Sequence, residues 1–464
     1  MNSGRKKILF LFFSIIIGVI IALQSPPSGL SPAAMRYAGI FVAMIFLLVS
    51  QAFSDWIVVL AATALLTLTK TATIAEAYSP FSGSIVWLIV MVLSLTIGVG
   101  KSGLLTRIGL KVMTFFPANY RGAVLALMAS GLVTTPLIPS AMAKVNIIIP
   151  TTTAITEQFG LKERSKGALG LFSATYMTIM LGSNVFLSGS LYVAIMLGFL
   201  KEQNFTYVSW LVATSVWLAV VLIGTYIYCI TYCKPKQDIS FPSDYFKEQL
   251  RKLGPMSRDE KLVGILLFIC LLIWSTAQLH GMDTAMVGLV AVCVLAGYGL
   301  ITDADFIGKV QWTLVVFIGG LLGMANLMTS LGWSAFIAKL LGPAFVPIVS
   351  NPWIFVPFLC VFTYILRFVV IEQVTSLVIT FAIFSPLMQQ AGMSPFILVF
   401  VQFMAAMVWN VPYQNPYPLT TLQIAGGKYV TFAEFRKSSY AYMVICLIGM
   451  TVSIPLWQIL GFIR

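Results

Sequence analysis

Long uncharged apolar runs recur along the whole chain and restrict the folds that it can adopt. A run of about 17–25 apolar residues is long enough to cross a bilayer as one helix. Only 9% of the 464 residues are charged, whereas charged residues make up about 25% of a typical soluble domain. These features predict an all-α polytopic membrane protein with about eleven transmembrane helices plus re-entrant pieces. Clear runs are Ile8–Gln24, Tyr37–Ser54, Phe81–Gly100, Gly122–Ala143, Tyr207–Cys233, Val263–Leu279, Thr284–Gly299, Gln311–Gly332 and Tyr440–Leu460.

The basic residues lie mostly in the short connections between these runs. Lys and Arg total 28 against 15 Asp and Glu, and the segment 234–261 alone carries seven basic residues. By the positive-inside rule such segments are cytoplasmic, so we expect a cytoplasmic N-terminus and, as the default, a bacterial inner membrane. The first run follows Arg5, Lys6 and Lys7 without a small-residue cleavage site, which favours a retained helix over a signal peptide. Because the basic residues reflect topology, we expect no nucleic-acid partner.

The chain lacks the residue patterns of common membrane enzymes and of ATP-driven pumps. Its six cysteines show no Cys-x-x-Cys spacing and are expected to be buried thiols, and His280 is the only histidine. There is no His-Glu-x-x-His, Gly-x-Ser-x-Gly or Gly-x-x-x-x-Gly-Lys-Ser/Thr pattern. We therefore expect neither an enzyme nor a bound cofactor, with sodium ions or protons as the candidate coupling ions.

Two hydrophobic halves flank the polar segment and share an order of features. Trp87 in the first half is matched by Trp312 in the second, and 182–191 aligns with 414–423. The offset between matched features stays near 225–232 residues. The preserved order indicates a weak internal repeat.

Each half also contains a long uncharged run that polar residues interrupt. Gly182-Ser183-Asn184 interrupts the first run, and the proline-rich stretch 410–418 interrupts the second. Broken backbone at membrane depth must be buried in protein or line a water-filled cavity, and paired broken helices indicate the binding site of a secondary transporter. Polar loops at the membrane surface are the alternative, and Tyr413 and Tyr417 are expected to be packing residues. The candidate substrate-binding residues of these stretches are Ser183, Asn184, Gln414 and Asn415.

Three further stretches carry a family resemblance. The first, 86–110, ends in a Lys-x-Gly-Leu-x-x-Arg-Ile pattern, and the second, 253–274, opens with Gly-Pro-Met-Ser-x-x-Glu-Lys. The third is 138-IPSAMAKVNIIIP-150. With these stretches the chain resembles the divalent anion/sodium symporter (DASS) family of dicarboxylate, citrate and sulfate transporters, and especially its exchanger-like members.

That resemblance implies an architecture for nearly the whole chain. It implies two inverted repeats, each with a re-entrant helical hairpin, in a homodimer whose substrate-bearing domain moves like an elevator. The hairpins are expected near 137–156 and 364–391. The remaining divisions are N-terminal scaffold helices over 1–80, a first repeat over 81–233, a cytoplasmic polar linker over 234–261, further scaffold helices over 262–310 and a second repeat over 311–464.

Lys144 lies in the third stretch, inside an apolar run. A charged residue at membrane depth costs about 2.5–3.5 kcal/mol and is normally paired or faces water. We favour a hairpin tip with Lys144 in a water-filled cavity; a lysine that extends from a helix end to the membrane interface is the alternative. In exchanger-like family members this motif reads Pro-Ser-Asn-Thr-Ala-Arg, so the resemblance makes Ser140 and Lys144 substrate-binding residues.

The motif also departs from the family pattern at the two positions before Ala143. Ala141 and Met142 replace Asn and Thr, which removes oxygen ligands of the kind that sodium prefers. A fixed ammonium group can offset the charge of an anionic substrate as a sodium ion would. We therefore expect sodium-independent exchange or proton coupling, and no metal site is assigned firmly; sodium ligands, if any, would lie near Ser140, Ser183 and Thr375.

The second hairpin carries no matching motif. Its polar residues include Arg367, Glu372, Thr375 and Ser376, of which the last two are candidate substrate-binding residues. Arg367 and Glu372 are candidate coupling residues, but their spacing of five is not ideal for a helical ion pair. Glu372 could instead meet Lys144 across the hairpin tips, as an internal counter-ion that the substrate displaces. Alone it could carry a proton, and an ion pair that only locks the hairpin is the third possibility.

These observations lead to a functional expectation. We expect a secondary active transporter of small di- or tricarboxylate anions, of C4-dicarboxylate or citrate-like type, that works by anion exchange or cation-coupled uptake. Its partners would be a small anionic substrate, the lipid bilayer and a second copy of the chain. A sulfate transporter and a cation/proton antiporter of the wider ion-transporter superfamily are the alternatives, and in the antiporter Glu372 would be central.

Overall fold

The computed structural model is almost entirely helical and describes residues 3–138, 140–200, 203, 205–237, 239–240, 242 and 244–463. Side chains are described from Lys7 onward, so those of Arg5 and Lys6, and the whole of Pro139, lie outside the described residues. Within these ranges there are two isolated backbone bridges and no strand. The prediction of an all-α membrane protein is confirmed.

The helices are named here in chain order. They are α1 (Ser3–Ala22), α2 (Pro32–Ser50), α3 (Asp55–Leu68), α4 (Ile74–Ala77), α5 (Ser84–Ser102), α6 (Leu104–Met113), α7 (Tyr120–Thr134), α8 (Ala141–Gln158), α9 (Lys166–Gly182), α10 (Leu191–Gly198), α11 (Tyr207–Thr231), α12 (Tyr245–Lys252), α13 (Arg258–Ser275), α14 (Ala277–His280), α15 (Thr284–Gly297), α16 (Asp303–Lys309), α17 (Trp312–Ser330), α18 (Trp333–Val349), α19 (Pro352–Leu366), α20 (Gln373–Gln390), α21 (Pro395–Ala405), α22 (Pro416–Ile424) and α23 (Phe432–Ile459). Short 3-10 turns are Ser79–Ser82, Thr135–Leu137 and Ser183–Val185.

Several of these helices are long and apolar enough to cross a membrane. In the described part of the chain there are six by length and composition, or up to seven if α18 and α19, which meet at an angle of 111°, form one broken span. Four shorter apolar helices of 10–17 residues accompany them. The figure of about eleven spans stays a prediction.

The chain folds as two copies of one helical plan. α5 and α17 are both 19 residues long, α7 and α19 both 15, and α8 and α20 both 18. The helices of each pair, α7–α8 and α19–α20, are joined by six residues and both pack on one further helix, α9 or α21, and each pair is called a hairpin here. A broken helix follows each hairpin, α9–α10 in the first copy and α21–α22 in the second, and a long helix, α11 or α23, closes each copy.

The two copies run in opposite directions. α9 begins where α11 ends, because Lys166 Nζ lies 4.5 Å from the ring centroid of Tyr232. Its counterpart α21 begins at the start of α11, where the rings of Phe396 and Trp210 lie 5.6 Å apart between centroids. Because α11 has 25 residues, or about 37 Å at 1.5 Å per residue, these two starts lie at opposite ends of the molecule. The copies are therefore inverted repeats.

The two hairpins and the broken helices pack together with α11 and α23, and α1–α3, α5, α13 and α15–α17 form the scaffold. In the scaffold α1 packs on α2, α3 on α17 and α5 on α15. Lys101 on α5 and Lys309 on α16 both form ion pairs with Asp305 on α16. Hydrogen bonds from Lys101, and to a lesser extent from Lys309, hold the pKa of the Asp305 carboxyl well below its usual range. Arg107 Nε donates to Glu260 Oε1 at 2.8 Å and ties α6 to α13. These pairs fix the scaffold next to the basic linker.

One prediction about the cysteines was wrong. Five of the six are buried, but Cys293 on α15 is exposed. Val290 and Val294 on the same helix are 65% and 42% exposed, so α15 turns an apolar face outward. An apolar face that contacts lipid has the same composition as one that packs on protein, which is why the sequence did not distinguish them.

Candidate functional site

The candidate site lies where the two hairpin tips meet the two helix breaks. Side chains from each tip donate to backbone carbonyls in a break, and a hydrogen bond between the half-helices α10 and α22 joins the two breaks. Four helix N-termini meet here, those of α8, α10, α20 and α22. The N-terminus of a helix carries partial positive charge and free N–H groups, which suits anionic ligands.

Lys144 joins the first hairpin to the first break. Its ammonium donates to the carbonyl of Gly189 at 2.8 Å and to that of Thr135 at 3.3 Å. An ammonium has three N–H donors, so one remains for a ligand. The sequence predicted Lys144 in a water-filled cavity, but its side chain is fully buried and its ammonium meets two backbone carbonyls.

Arg367 plays the corresponding part in the second repeat. It is fully buried, and its guanidinium donates to the carbonyls of Val370 and Ile371 in the hairpin connection. It also donates to Ala406 at 3.0 Å and to Gln414, which lie in the second break. A guanidinium has five N–H donors, and these bonds use four of them. Arg367 therefore fixes the second hairpin tip against the break through backbone atoms alone.

Glu372 caps the N-terminus of α20. Its Oε2 accepts a hydrogen bond from the Thr375 N–H at 2.5 Å, at the position that Ser140 occupies on α8, where Ser140 Oγ accepts from Ala143 N–H at 3.2 Å. No ion pair in the described part of the chain includes Glu372 or Lys144. The structure thus does not bring these two together as an ion pair, although Glu372 interacts electrostatically with Arg367.

The candidates in the first break are fully buried. The Ser183 hydroxyl donates to the Ile179 carbonyl, and Asn184 Nδ2 donates to the Met180 carbonyl at 3.1 Å. The Asn184 carbonyl accepts from Trp210 Nε1 at 3.1 Å. Ser183 therefore supports the break, while the side-chain oxygen of Asn184 stays free for a ligand.

The candidates in the second repeat also divide between support and ligand binding. Gln414 Oε1 accepts from Asn410 N–H at 2.8 Å and its Nε2 donates to the Arg367 carbonyl at 3.2 Å. Ser376 Oγ accepts from Gln402 Nε2 at 2.8 Å. Asn415 caps α22 with its Oδ1, which accepts from the Tyr417 N–H at 3.1 Å. The polar side-chain atoms of Gln414 and Ser376 therefore bond to other parts of the protein and stabilise the fold.

Four buried polar atoms of the tips and breaks have no hydrogen-bond partner in the described part of the chain. They are Asn184 Oδ1, Gln373 Oε1, Thr375 Oγ1 and Asn415 Nδ2. A buried polar group without a partner costs about 1–3 kcal/mol, and such groups are rare in native proteins. Ten further atoms of this kind lie elsewhere in the described residues, so these four indicate a place for a polar ligand only together with Lys144 and the four helix N-termini.

A pair of tyrosines that the sequence did not predict as site residues joins the two breaks. Tyr192 and Tyr417 are both the second residue of a half-helix, and their hydroxyls lie 2.7 Å apart. Tyr192 follows its N-cap Ser190 as Tyr417 follows its N-cap Asn415. The offset of 225 residues equals the lower bound of the repeat offset and is the signal that could have found the pair.

The donor set does not suggest a transition-metal centre. Among the described residues no group of three or more His, Cys, Asp and Glu side chains could hold a metal ion. The oxygens that a sodium ion would use are the backbone carbonyls of the tips and breaks. The carbonyls of Thr135, Gly189, Ala406 and Gln414 already accept hydrogen bonds from Lys144 or Arg367.

Comparison with known sequences finds one family along nearly the whole chain. The family model described as the sodium:sulfate symporter transmembrane region matches residues 5–463. A putative malate transporter of Bacillus subtilis, YflS, is 27% identical over 355 residues, which are 73% of each chain. The chloroplastic dicarboxylate transporter 1 of Arabidopsis thaliana is 25% identical over 72% of this chain and 62% of its own length. The Escherichia coli inner membrane protein YbhI is 24% identical over 72% and 73%.

Comparison with solved structures supports the fold. The Alcanivorax borkumensis YdaH transporter superposes with a TM-score of 0.60 at 13% identity, over 100% of this chain and 99% of its own. Neisseria gonorrhoeae MtrF, described as one of a class of antimetabolite efflux pumps, gives 0.61 at 12% identity over 98% and 95%. At such low identity the likeness concerns the fold alone.

The role of Arg367 in holding the second tip can be tested by stability. Arg367→Met leaves four carbonyls without a donor, so we expect the free energy of unfolding to fall by at least about 4 kcal/mol, at about 1 kcal/mol or more per orphaned group. Arg367→Lys keeps the charge and has three donors, so it should lose less. Thermal unfolding in detergent measures both, with exposed Arg251→Met as the control. An Arg367→Met protein as stable as the control would contradict this role.

Proposed function

Because the chain belongs to the sodium:sulfate symporter (DASS) family of membrane transporters, we propose that it is a secondary active exchanger of small di- or tricarboxylate anions. The printed names of its relatives support the substrate class, since they include malate and dicarboxylate transporters. C4-dicarboxylates and citrate-like acids are the proposed substrates. The protein would work without sodium, in contrast to the name of its family.

The observation that carries this proposal is the pair of buried cations at the two tip–break junctions. Lys144 and Arg367 each bridge a hairpin tip and a helix break through backbone carbonyls. A sodium ion at about 4 Å from either charge would be repelled by about 4 kcal/mol at an effective dielectric constant of 20. That repulsion corresponds to about a thousandfold loss of affinity. The two protein charges therefore take the place of coupling cations.

The charge of the site fits a divalent anion. Lys144 and Arg367 provide two positive charges, Glu372 and the neighbouring Asp55 on α3 provide two carboxyl groups, and four helix N-termini add partial positive charge, so displacement or protonation of Glu372 leaves the site positive. Of the proposed substrate-binding residues, Lys144, Thr375 and Asn415 have a free donor for direct contact with an anion, whereas Asn184 has a free acceptor that a hydroxyl group of the substrate could meet. The supporting residues are Ser140, Ser183 and Gln414, whose side chains bond to the backbone, and Ser376, whose hydroxyl accepts from the Gln402 side chain.

Glu372 is the proposed coupling residue, with Arg367 as its electrostatic partner. It occupies the N-terminus of α20, which a substrate carboxylate would otherwise bind. The charged and titratable groups that interact with it electrostatically are Asp55, Arg367, Tyr192 and Tyr417. We propose that the substrate displaces this internal carboxylate or that Glu372 carries a proton during transport.

An elevator movement is the proposed transport mechanism. The half-helices of the two repeats pack differently, since α10 packs against the scaffold helix α5 whereas α22 packs on α8 and α23. In inverted repeats, movement of the hairpins and broken helices along the scaffold would exchange these two environments. We further propose a homodimer in a bacterial inner membrane, with the N-terminus and the linker 234–261 in the cytoplasm.

Sulfate is the second candidate substrate. The family description names sulfate, and a site of amides, hydroxyls and one lysine offers the same donors to sulfate as to a carboxylate. If Glu372 carries protons without any anion, the cation/proton antiporter is the remaining alternative. Anion counterflow and proton flux in proteoliposomes separate these three possibilities.

Counterflow with and without sodium tests the proposal directly. We expect labelled succinate to enter succinate-loaded proteoliposomes equally fast in sodium and in N-methylglucamine. Lys144→Met should lower kcat/KM by about 10- to 100-fold, because a hydrogen bond to a charged group contributes about 1.5–3 kcal/mol. Lys144→Arg should retain more activity, and exposed Lys162→Met is the matched control. Absolute dependence of the wild type on sodium would contradict the proposal and leave the family assignment intact.

The variant Glu372→Gln, which replaces the carboxyl group by an amide, tests the role of Glu372. If the carboxylate is displaced or protonated in each cycle, Glu372→Gln changes the rate of succinate exchange and flattens its dependence on pH. Rates measured from mildly acidic to mildly alkaline pH show this, with exposed Glu163→Gln as the control. A Glu372→Gln protein whose uptake and pH profile both match the wild type would remove Glu372 from the mechanism.

A further inference from the structure

We infer that the hydroxyls of Tyr192 and Tyr417 together bind one carboxylate of the substrate and so select anions with two carboxylates. The inference rests on the proposed function and adds the residues that decide substrate class. Neither tyrosine belongs to the candidate set that the sequence provided, in which Tyr417 was expected to be a packing residue. The pair is also the hydrogen bond that joins the two repeats at the centre of the site.

The geometry of the pair is that of a binding element. Each ring is only partly buried, and the hydroxyls lie 2.7 Å apart on the first turns of α10 and α22. In the described part of the chain, neither hydroxyl makes a second hydrogen bond. Within such a pair one O–H donates to the other oxygen, so the second O–H has no acceptor. A carboxylate between them would accept from both.

The neighbouring charges favour an anion at this place. Glu372 interacts electrostatically with both hydroxyls, and Arg367 interacts with Tyr192. When a substrate carboxylate displaces Glu372 from the N-terminus of α20, the tyrosines and the helix end are left facing the incoming group. O–H donors to a carboxylate form short charge-assisted bonds that are about twice as strong as neutral ones.

A third hydroxyl beside the pair provides an independent observation. Tyr176 on α9 is 1% exposed, and its hydroxyl has no hydrogen-bond partner in the described part of the chain. It interacts electrostatically with Tyr417 and Tyr192. An orphaned buried donor beside two half-satisfied hydroxyls indicates an acceptor that arrives with the ligand.

The two carboxylates of a dicarboxylate would therefore bind at two different places. Lys144 has its spare N–H donor in the first repeat, and the tyrosines lie where the two repeats meet. One carboxylate would bind the ammonium and the N-terminus of α8, and the other would bind the two phenols. A monocarboxylate of the same length would use the first of these places and leave the second empty.

The test compares two ligands that differ by one carboxylate. Succinate exchange and its competitive inhibition by butyrate are measured for the wild type, Tyr192→Phe, Tyr417→Phe and the double variant. We expect KM for succinate to rise about 10-fold in each single variant and more in the double variant, as loss of charge-assisted hydrogen bonds predicts. The inhibition constant of butyrate should change less than about twofold, because butyrate has no second carboxylate.

Controls separate recognition from packing. Tyr413→Phe removes a hydroxyl in the same break that donates to the Phe368 carbonyl at 3.3 Å, and it should leave both constants unchanged. Unfolding temperatures in detergent should stay close to the wild type for all variants. Equal changes for succinate and butyrate, or a change in unfolding temperature alone, would show that the pair only joins the half-helices and would overturn the inference.

The outcome also distinguishes this inference from the proposed function. A wild type that exchanges succinate together with phenylalanine variants of unchanged KM removes the tyrosine pair and keeps the carboxylate exchanger. A wild type that exchanges no di- or tricarboxylate, in counterflow or in ligand-induced thermal shifts, removes both.

Discussion

Two buried cations bonded to backbone carbonyls hold the centre of this protein together. A charge inside a membrane protein needs compensation, and here the compensation for Lys144 and Arg367 comes from the carbonyl ends of interrupted helices. The reverse also holds, since interrupted helices leave carbonyls that cost free energy unless a donor or a cation meets them. Each hairpin tip and each break therefore depends on the cation between them.

The two repeats use different residues to join the hairpin tip to the helix break. Lys144 follows its hairpin connection and keeps one donor free, whereas Arg367 is the first residue of its connection and commits four of its five donors. The helix N-termini differ too, because α8 is capped by the neutral Ser140 and α20 by the charged Glu372. The first repeat thus has a free N–H donor on a lysine, and the second already contains a carboxyl group at its helix N-terminus. In the proposed mechanism the substrate would meet an internal competitor only in the second repeat.

The sequence predicted the fold class because its signals are local. Apolar runs define membrane helices, and a lysine within one of them indicated the first hairpin. The partners of Lys144 were not predictable, since Thr135 and Gly189 contribute carbonyls, which every residue has, from 9 and 45 positions away. The two tyrosines are 225 positions apart in the sequence. Their contact could be predicted only by assuming that residues separated by the repeat offset lie next to each other. Cys293 was wrongly predicted to be buried, because apolar helix faces that contact lipid and those that pack on protein have the same composition.

We propose that protein charges, and not sodium ions, bridge the hairpin tips and the helix breaks. A cryo-electron-microscopy map of the protein in lipid nanodiscs, with sodium and succinate both present, distinguishes the two. We expect side-chain density for Lys144 that reaches the carbonyls of Thr135 and Gly189, and for Arg367 that reaches those of Ala406 and Gln414, with no separate ion at either junction. A spherical density coordinated by those carbonyls, with either side chain turned away, would contradict it.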